Sequence, residues 1–288
     1  MKAKEFDKKD ITKKAVSRNK TCKATLVLGS GGIRGISQIG IIEVLHEAGI
    51  PIGHIVGCSI GAFTGSLYAD TCDPKKAYEI ALEVIPSGYC YSTFGIPSLR
   101  KGLRGKGFFN MKRLEKILSK NLKVKTFEEL QMPLSVAATD IIRGRLNRFS
   151  KGPLIAPLCA SAAIPGVFQP VVIEDSYYVD GAVVSGLPVE MAKKAGADVV
   201  IAVNVRPPTS PEEINGKSGF IERSYNIMRD QSEKDEERMA DIVLRPRSQE
   251  FAFLFASKKK IRNLYEEGKR IAEANLDKIE KLLQSKGS

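Results

Sequence analysis

The stretch that decides the fold class spans residues 24–69 and reads ATLVLGSGGIRGISQIGIIEVLHEAGIPIGHIVGCSIGAFTGSLYA. It contains two short apolar runs, ATLVL and HIVG, which predict β-strands. Each run is followed by a glycine-containing turn and then by apolar residues at helical spacing. This repeated order of strand, turn and helix predicts parallel strands joined by helical crossovers, as in an α/β domain.

Three later segments continue this pattern. Residues 134–141 (LSVAATDI) and 170–182 (PVVIEDSYYVDGA) predict strands, and residues 197–205 (ADVVIAVNV) predict a buried parallel strand after a helix over 188–196. Strands that alternate with helices favour a sheet covered on both faces. We therefore expect a three-layer α/β/α sandwich with a mostly parallel central sheet.

The chain is predicted to have three parts: a basic N-terminal arm over residues 1–23, a catalytic core over 24–206, and an extension over 207–288 packed on the same domain. The extension is predicted to contain, in order, a surface loop over 207–219, a helix over 221–240, a strand over 241–246 and an amphipathic helix over 258–284.

The formal net charge of +12 predicts anionic partners. One excess of Lys and Arg lies between residues 100 and 125, close to the aromatic residues Tyr89, Tyr91, Phe94, Phe108 and Phe109. Two interpretations are open: residues 86–125 form a lid or a peripheral contact with an anionic membrane surface, or they form a solvated basic face. No nucleic-acid-binding module is recognised, so nucleic acid is not an expected partner.

The distribution of apolar residues and cysteines predicts a cytoplasmic protein. The first 20 residues contain no apolar run, and no segment approaches the roughly 18 to 20 apolar residues that span a bilayer, so neither a signal peptide nor a transmembrane segment is predicted. The cysteines show no CxxC pair and no metal-ligand spacing, which predicts reduced thiols, no metal site and no cofactor. They are Cys22, Cys58, Cys72, Cys90 and Cys159.

The segment Gly57-Cys58-Ser59-Ile60-Gly61 matches the GxSxG pattern of a nucleophile elbow. A predicted strand precedes it and a predicted helix follows it, as the mechanism of such serine hydrolases requires. The two glycines allow neighbouring backbone to approach closely, and the helix N-terminus favours developing negative charge. Ser59 is therefore the candidate nucleophile; a tight turn with a capping serine is the alternative.

The glycine-rich loop GSGGIRG lies between the first strand and the first helix, where free backbone N–H groups can bind an anion. A dinucleotide-binding loop is disfavoured, because Ser30 and Arg34 occupy glycine positions of GxGxxG and no acidic residue follows at the expected place. We expect instead an oxyanion hole formed by the amides of Gly31, Gly32 and Ile33. For Arg34 three roles stay open: bracing the loop, contacting a lipid phosphate, or lying at the surface.

A serine nucleophile needs a base, and the chain contains only two histidines. His46 lies within the first helix and His54 precedes the elbow strand, so neither occupies the late loop expected of a catalytic histidine. The remaining candidate base is Asp180, which ends a predicted strand and is followed by Gly181. A carboxylate deprotonates a hydroxyl effectively only when burial raises its pKa, so the prediction requires a buried Asp180.

Four segments together resemble the patatin-like phospholipases: SGGIRG, GCSIG, ASAAIPGVFQPV at residues 160–171, and the DGA that begins at Asp180. The resemblance implies a Ser59–Asp180 dyad without histidine, and hydrolysis of phospholipid or other acyl esters through a covalent acyl-enzyme without a metal. Ser30 stands where the family usually has glycine, and Gln38 where it often has histidine. Gly31, Gly32 and Gly35 keep the family pattern.

These observations predict a serine acyl-ester hydrolase of the phospholipase A type, with Gly35, Gly57, Gly61 and Gly181 in supporting positions. The alternative from another class is a non-catalytic lipid-binding or regulatory protein that keeps the fold. A nucleotide-binding enzyme is the third hypothesis, weakened by the missing acidic residue. The sequence assigns neither an oligomeric state nor a preferred acyl chain or head group.

Overall fold

A computed structural model of the chain describes residues 22–85, 110–207, 216–246 and 257–287. Of the predicted N-terminal arm, only Cys22 and Lys23 belong to the described residues. The part of the predicted lid over 86–109 also lies outside them, as do residues 208–215 of the predicted surface loop.

The described elements alternate between strands and helices through most of the chain, which confirms the α/β class. The strands are β1 (Ala24–Leu28), β2 (Ile52–Cys58), β3 (Leu134–Asp140), β4 (Arg145–Phe149), β5 (Val171–Ile173), β6 (Ser176–Asp180), β7 (Val199–Val203) and β8 (Ile242–Leu244). The helices are α1 (Ile36–Glu47), α2 (Ile60–Thr71), α3 (Pro74–Val84), α4 (Lys112–Asn121), α5 (Ile155–Ser161), α6 (Val189–Lys194), α7 (Gly216–Met239), α8 (Lys258–Glu273) and α9 (Leu276–Gly287).

The strands form one eight-stranded sheet in the order β5-β6-β3-β2-β1-β7-β8, with β4 paired to β3. Five neighbouring strands, from β3 through β2, β1 and β7 to β8, are parallel. The pairs β3–β4, β3–β6 and β5–β6 are antiparallel. The sheet is therefore mostly parallel, as predicted, with an antiparallel end that carries the β6 strand and its terminal Asp180.

Two separate hydrophobic clusters cover the two faces of the sheet. Alternate residues of β1, such as Leu26 and Leu28, belong to a large cluster that also contains apolar residues of α1, α2 and α8. The intervening Val27 belongs to a second cluster with residues of α6, such as Val189. Since successive strand residues point to opposite faces, this division follows from strand periodicity and gives a helical layer on each side.

The C-terminal region adds β8 to the sheet edge and packs α8 against α1. The two helices cross so closely that only glycine fits at the crossing. An added Cβ atom on Gly40 would lie 2.1 Å from the Tyr265 carbonyl oxygen, and an added Cβ atom on Gly268 would lie 1.9 Å from the Ser37 carbonyl oxygen. Beside this crossing the buried Glu43 accepts hydrogen bonds from Tyr265 and from Lys269, the latter at 3.1 Å.

Several boundaries differ from the sequence-based expectation. The helix predicted over residues 258–284 is two helices, which part around Asn275, where the side-chain amide donates to the Ile271 carbonyl at 2.9 Å. The helix expected from residue 221 begins at Gly216. The sequence pattern also missed α3, α4, α5 and β4. The segments of α3 and α4 are rich in charged residues, and α5 and β4 are only seven and five residues long.

Among the helices of the described ranges, none is both long and apolar enough to cross a bilayer. The four cysteines within those ranges, Cys22, Cys58, Cys72 and Cys159, are free thiols.

Candidate active site

Ser59 occupies the sharp turn between β2 and α2. Its backbone has φ 55° and ψ −120°, a conformation that non-glycine residues rarely adopt and that stores strain. The flanking glycines permit the turn: a Cβ atom on Gly61 would lie 2.1 Å from the Leu28 carbonyl oxygen, and one on Gly57 would lie 2.6 Å from the Ala62 nitrogen. The geometry is that of a nucleophile elbow with a partly exposed serine.

A second serine forms a hydrogen bond with the backbone of the elbow. Ser161, at the end of α5, is fully buried; its Oγ accepts the backbone N–H of Ser59 at 2.7 Å and donates to the Ala137 carbonyl at 2.7 Å. Sequence reasoning noted this residue only as part of ASAAIPGVFQPV and gave it no role. A signal was present, because a serine within an otherwise apolar helical segment must find hydrogen-bond partners inside the protein.

Strand β3 brings the two predicted catalytic residues together. Its consecutive residues Ala137 and Ala138 pair with Cys58 and Asp180, so the end of the elbow strand lies beside the end of β6. Asp180 is buried, and its Oδ1 accepts the Ala182 N–H at 2.9 Å and the Cys58 thiol at 3.7 Å.

Gly181 permits this close arrangement. A Cβ atom there would lie 2.7 Å from the Ala137 carbonyl oxygen and 2.9 Å from the Cys58 sulfur. A larger residue would therefore push the turn after Asp180 away from β3 and away from the elbow.

Burial raises the pKa of Asp180 above the ordinary value of an aspartate. The N–H of Ala182, the Ser59 hydroxyl and the positive charge of Arg229 favour the ionised form without cancelling the rise. Burial likewise raises the pKa of the Cys58 thiol, so this neighbour stays protonated. A desolvated carboxylate beside a serine hydroxyl is the arrangement that general-base catalysis requires.

The glycine-rich loop continues into a short 3₁₀ helix, Gly32–Gly35, which packs on the elbow. Gly32 has φ 59°, and a Cβ atom on Gly35 would lie 2.4 Å from the Ile60 side chain. Between described residues, no hydrogen bond is donated by the amides of Gly31, Gly32 or Ile33. These are the first N–H groups of a helical turn, which lack partners inside it and can bind an anion.

Gln38, where the family often has histidine, holds the loop to both neighbouring helices. Its buried amide Nε2 donates to the Gly29 carbonyl at 2.7 Å, and its Oε1 accepts the Thr64 hydroxyl at 2.8 Å. The residue therefore fixes the start of the loop, a positioning role that the sequence did not reveal.

Two side chains of α7 that sequence reasoning missed lie near the dyad. Burial and the nearby Asp180 raise the pKa of Tyr225 to about 12. The Arg229 guanidinium lies 5.5 Å from the centre of the Tyr225 ring and donates to the Ser30 hydroxyl. Helical periodicity predicted α7 itself but could not place its polar face against a loop almost 200 residues earlier in the chain.

Arg34 is half-buried, and its Nε finds no hydrogen-bond partner within the described part of the chain. Burial and the like charges of Arg206 and Arg229 lower its pKa, against the opposing influence of Glu233. Of the three roles left open for Arg34, the structure therefore gives no support to bracing through a side-chain hydrogen bond at Nε.

Neither histidine interacts with Ser59 through a described hydrogen bond. His46 pairs with the Tyr68 hydroxyl at 2.9 Å, and His54 pairs with the Ser135 hydroxyl at 3.0 Å. Burial and the charge of Arg148 lower the pKa of His54, which favours a neutral ring. These contacts support the structural interpretation of both residues.

A cavity of about 470 Å³ lies beyond the turn after Asp180. Its lining comes from β4, α6, α7 and the turn itself, and includes Arg148, Val184, Met191 and Glu236. None of the predicted catalytic or oxyanion-hole residues lines it, so it is separate from the site around Ser59.

The family model described as patatin-like phospholipase matches residues 26–193. The chain is 35% identical to lysophospholipase NTE1 of Coccidioides immitis over 180 residues, which are 62% of this chain and 11% of that relative. This chain therefore corresponds to only about a tenth of that relative's length.

Two solved structures share the fold. VipD from Legionella pneumophila superimposes with a TM-score of 0.55 at 15% identity, covering 88% of this chain and 67% of that one. Human GIVD cytosolic phospholipase A2, solved with methyl γ-linolenyl fluorophosphonate, gives a TM-score of 0.53 at 12% identity, covering 93% and 60%. At these identities the likeness concerns the fold alone.

Proposed function

This chain belongs to the patatin-like phospholipase family, and from that premise we propose that it is a serine hydrolase of lipid acyl esters that uses a Ser59–Asp180 dyad. The observation that carries the proposal is the strained Ser59 turn beside a buried carboxylate with a raised pKa. The similarity to a lysophospholipase favours a phospholipid or lysophospholipid as the ester substrate.

In the proposed first step, Asp180 accepts the proton of Ser59 while the serine Oγ attacks the acyl carbonyl carbon. The tetrahedral intermediate then collapses: the ester C–O bond breaks, the leaving alcohol takes the proton from Asp180, and the acyl group stays on Ser59. In the second step, water gives a proton to Asp180 and attacks the acyl-enzyme. Breakage of the bond to Ser59 returns that proton to the serine and releases the fatty acid.

The amides of Gly31, Gly32 and Ile33 are the proposed oxyanion donors. Their lack of partners among the described hydrogen bonds supports this role, since a donor already satisfied could not bind the oxyanion. Removing one such donor typically raises the barrier by about 3 to 4 kcal/mol. Gly35, Gly57, Gly61 and Gly181 are proposed to support the site by allowing close backbone contacts.

We propose that the protein is cytoplasmic and makes peripheral contact with an anionic membrane surface. In α4 the apolar Leu114 and Leu118 are buried, whereas Lys112, Lys116 and Lys120 are exposed. This part of the predicted lid therefore offers a lipid surface charge rather than apolar side chains. In a co-sedimentation assay, we expect the protein to bind phosphatidylserine vesicles and to bind them less as the salt concentration rises from 0.05 to 0.5 M. Equal binding to neutral vesicles would contradict the proposal.

We propose that the chain has a catalytic core over 24–206 and an extension over 207–288 that packs on the same domain. Expressing residues 1–206 alone tests whether the core needs the extension. A folded, active fragment would show that the extension is dispensable, contrary to its proposed packing on the same domain.

The decisive test of the activity is labelling with a fluorophosphonate, which traps activated serines, followed by mass spectrometry of the adduct. We expect one adduct, on Ser59, that disappears in Ser59→Ala and in Asp180→Asn. Ser66→Ala is the matched control, because this buried α2 serine only bonds back to the Phe63 carbonyl. No labelling of the wild-type chain would overturn the proposal in favour of a non-catalytic lipid-binding protein, and labelling elsewhere would overturn the assignment of Ser59 as the nucleophile.

A further inference from the structure

Helix α7 lies outside residues 26–193, the part that the family model matches, yet its inner face meets the proposed catalytic site. Tyr225, Arg229 and Glu233 follow one another at intervals of four residues and therefore share one face of the helix. Arg229 and Glu233 are each more than nine-tenths buried, at 8% and 5% exposure. Charged side chains are rarely buried to this extent without a specific partner.

The partner of Arg229 is the glycine-rich loop. Its Nη2 donates to the Ser30 hydroxyl and, at 3.2 Å, to the Glu233 carboxylate. The backbone N–H of Ser30 donates to the Gly186 carbonyl at 2.7 Å. Ser30 is thus held through both its backbone and its side chain, directly before the proposed oxyanion donors.

The chain after β7 secures the same loop from a second side. A Cβ atom on Gly31 would lie 2.4 Å from the Val205 side chain, which shows how closely Val205 covers the loop. Arg206 donates to Glu233 at 2.9 Å, so the carboxylate that holds Arg229 also holds this segment. Glu233 therefore joins both supports of the loop.

The positive charge of Arg229 also lowers the pKa of Asp180, the proposed base of the dyad. It favours the ionised form of Asp180, whose other neighbours are the Cys58 thiol, the Ser59 hydroxyl, the Ala182 N–H and Tyr225. Three guanidinium groups, those of Arg34, Arg206 and Arg229, influence one another at the loop. The carboxylates paired with them are Glu233, which binds both Arg206 and Arg229, and Asp230, which lies 3.5 Å from Arg206.

We propose that Arg229 is a positioning residue: it holds Ser30, and with it the amides of Gly31 and Gly32, in the conformation that receives the oxyanion. The inference rests on the proposed hydrolase activity and extends it to a helix outside the family-matched region. Ser30, which departs from the family's usual glycine, thereby acquires a function as the acceptor for Arg229.

The first test compares Arg229→Met, Arg229→Lys and Ser30→Ala, with kcat expressed per fluorophosphonate-titrated site so that unfolded protein does not count. Arg229→Met should lower kcat about 100-fold, as displacement or loss of an oxyanion donor does, and change KM little. Arg229→Lys keeps the charge but not the forked donor, and should retain more activity. The double variant Ser30→Ala/Arg229→Met should be no worse than Arg229→Met alone, since the two residues act through one contact.

The pH profile separates the charge from the contact. In Arg229→Met the acidic limb of kcat/KM should move to higher pH, because no cation at residue 229 then favours the Asp180 carboxylate. Arg229→Lys and Ser30→Ala should leave the limb in place. A residue with a merely structural role would change the amount of active protein without moving this limb.

Hydrogen–deuterium exchange over residues 29–36 gives a readout that needs no turnover. Exchange there should accelerate in Arg229→Met and stay at the wild-type rate in Arg238→Met, an exposed arginine of the same helix paired with Asp235. If the wild-type chain were neither labelled nor active, the proposed function would fail, while the exchange rates would still decide whether Arg229 holds the loop. Wild-type exchange and kcat within twofold of wild type in Arg229→Met would overturn the inference.

Discussion

The family-matched region and the C-terminal helices support the candidate site by different means. Within residues 26–193 much of the support comes from close backbone packing: Gly57 and Gly61 permit the Ser59 turn, and the pairing of β3 with β2 and β6 brings Asp180 near it. The buried side chains of Ser161 and Gln38 add short hydrogen bonds to this backbone. In α7 the support comes from long polar side chains, above all from Arg229. A glycine whose added Cβ atom would lie 2 to 3 Å from neighbouring backbone tolerates almost no substitution, whereas side-chain contacts can be replaced by other pairs.

The two C-terminal helices, α7 and α8, also differ from each other in what their side-chain contacts support. The inner face of α7 brings Arg229 to the glycine-rich loop, so its contacts are proposed to affect catalysis. Tyr265 and Lys269 of α8 contact Glu43 on α1, which makes no hydrogen bond to the glycine-rich loop or the dyad within the described ranges, so we expect these contacts to affect stability. Three substitutions test whether this division between backbone, catalytic and structural support holds.

The largest effect is expected from Gly61→Ala. The new Cβ atom would meet the Leu28 carbonyl oxygen, so the elbow must shift; overpacking of this kind costs about 1 to 3 kcal/mol or more, and a 1 Å displacement can cost about 100-fold in rate. Thermal unfolding and ester turnover provide the measurement. Gly49→Ala is the control, because that site has positive φ but open space and should lose only about 1 to 2 kcal/mol, with activity kept.

Asp180→Asn should abolish activity and yet stabilise the fold at neutral pH. The folded-state pKa of Asp180 lies above the unfolded value of about 3.9, so the stabilising form is the protonated one. Its contribution is complete below the unfolded pKa and is lost as pH rises through the folded pKa. The asparagine variant escapes this loss.

The measurement for Asp180→Asn is the difference in Tm from wild type at pH 8 and at pH 4. The difference should be positive at pH 8 and shrink at pH 4. Asp175→Asn, an exposed carboxyl in the turn between β5 and β6, should show little difference at either pH. A variant less stable than wild type at pH 8 would contradict the view that burial of the charged form costs stability.

The smallest effect is expected from Tyr265→Phe in α8. Removing the hydroxyl leaves the buried Glu43 with Lys269 as its remaining described donor, a loss of about 1 to 3 kcal/mol in the free energy of unfolding, with kcat unchanged. Lys75→Met, which removes an exposed ion pair with Glu47, should change stability by less than about 1 kcal/mol. A fall in kcat for Tyr265→Phe would contradict the proposal that α7 supports catalysis whereas α8 supports only stability.

The sequence predicted those elements whose apolar residues keep a regular period. The β1 and β2 runs were found because burial in a parallel sheet requires continuous apolar runs, and the GxSxG turn because it requires glycine. The strand before Asp180, which is antiparallel, was found from its aromatic and β-branched residues. The charged helix α4 and the edge strand β4 were missed, since only part of each is buried. The break near Asn275 was missed because the amphipathic pattern continues across it.

By itself, the sequence determined the α/β class, the family and two motifs that place Ser59 and Asp180 at strand ends. Only the tertiary structure decided that consecutive residues of β3 set these two side by side, that Ser161 and Gln38 hold the backbone around them, and that Arg229 reaches Ser30. The physical reason is range. Periodicity and turn chemistry act over a few residues, whereas these contacts join side chains up to 199 positions apart, and only packing selects them.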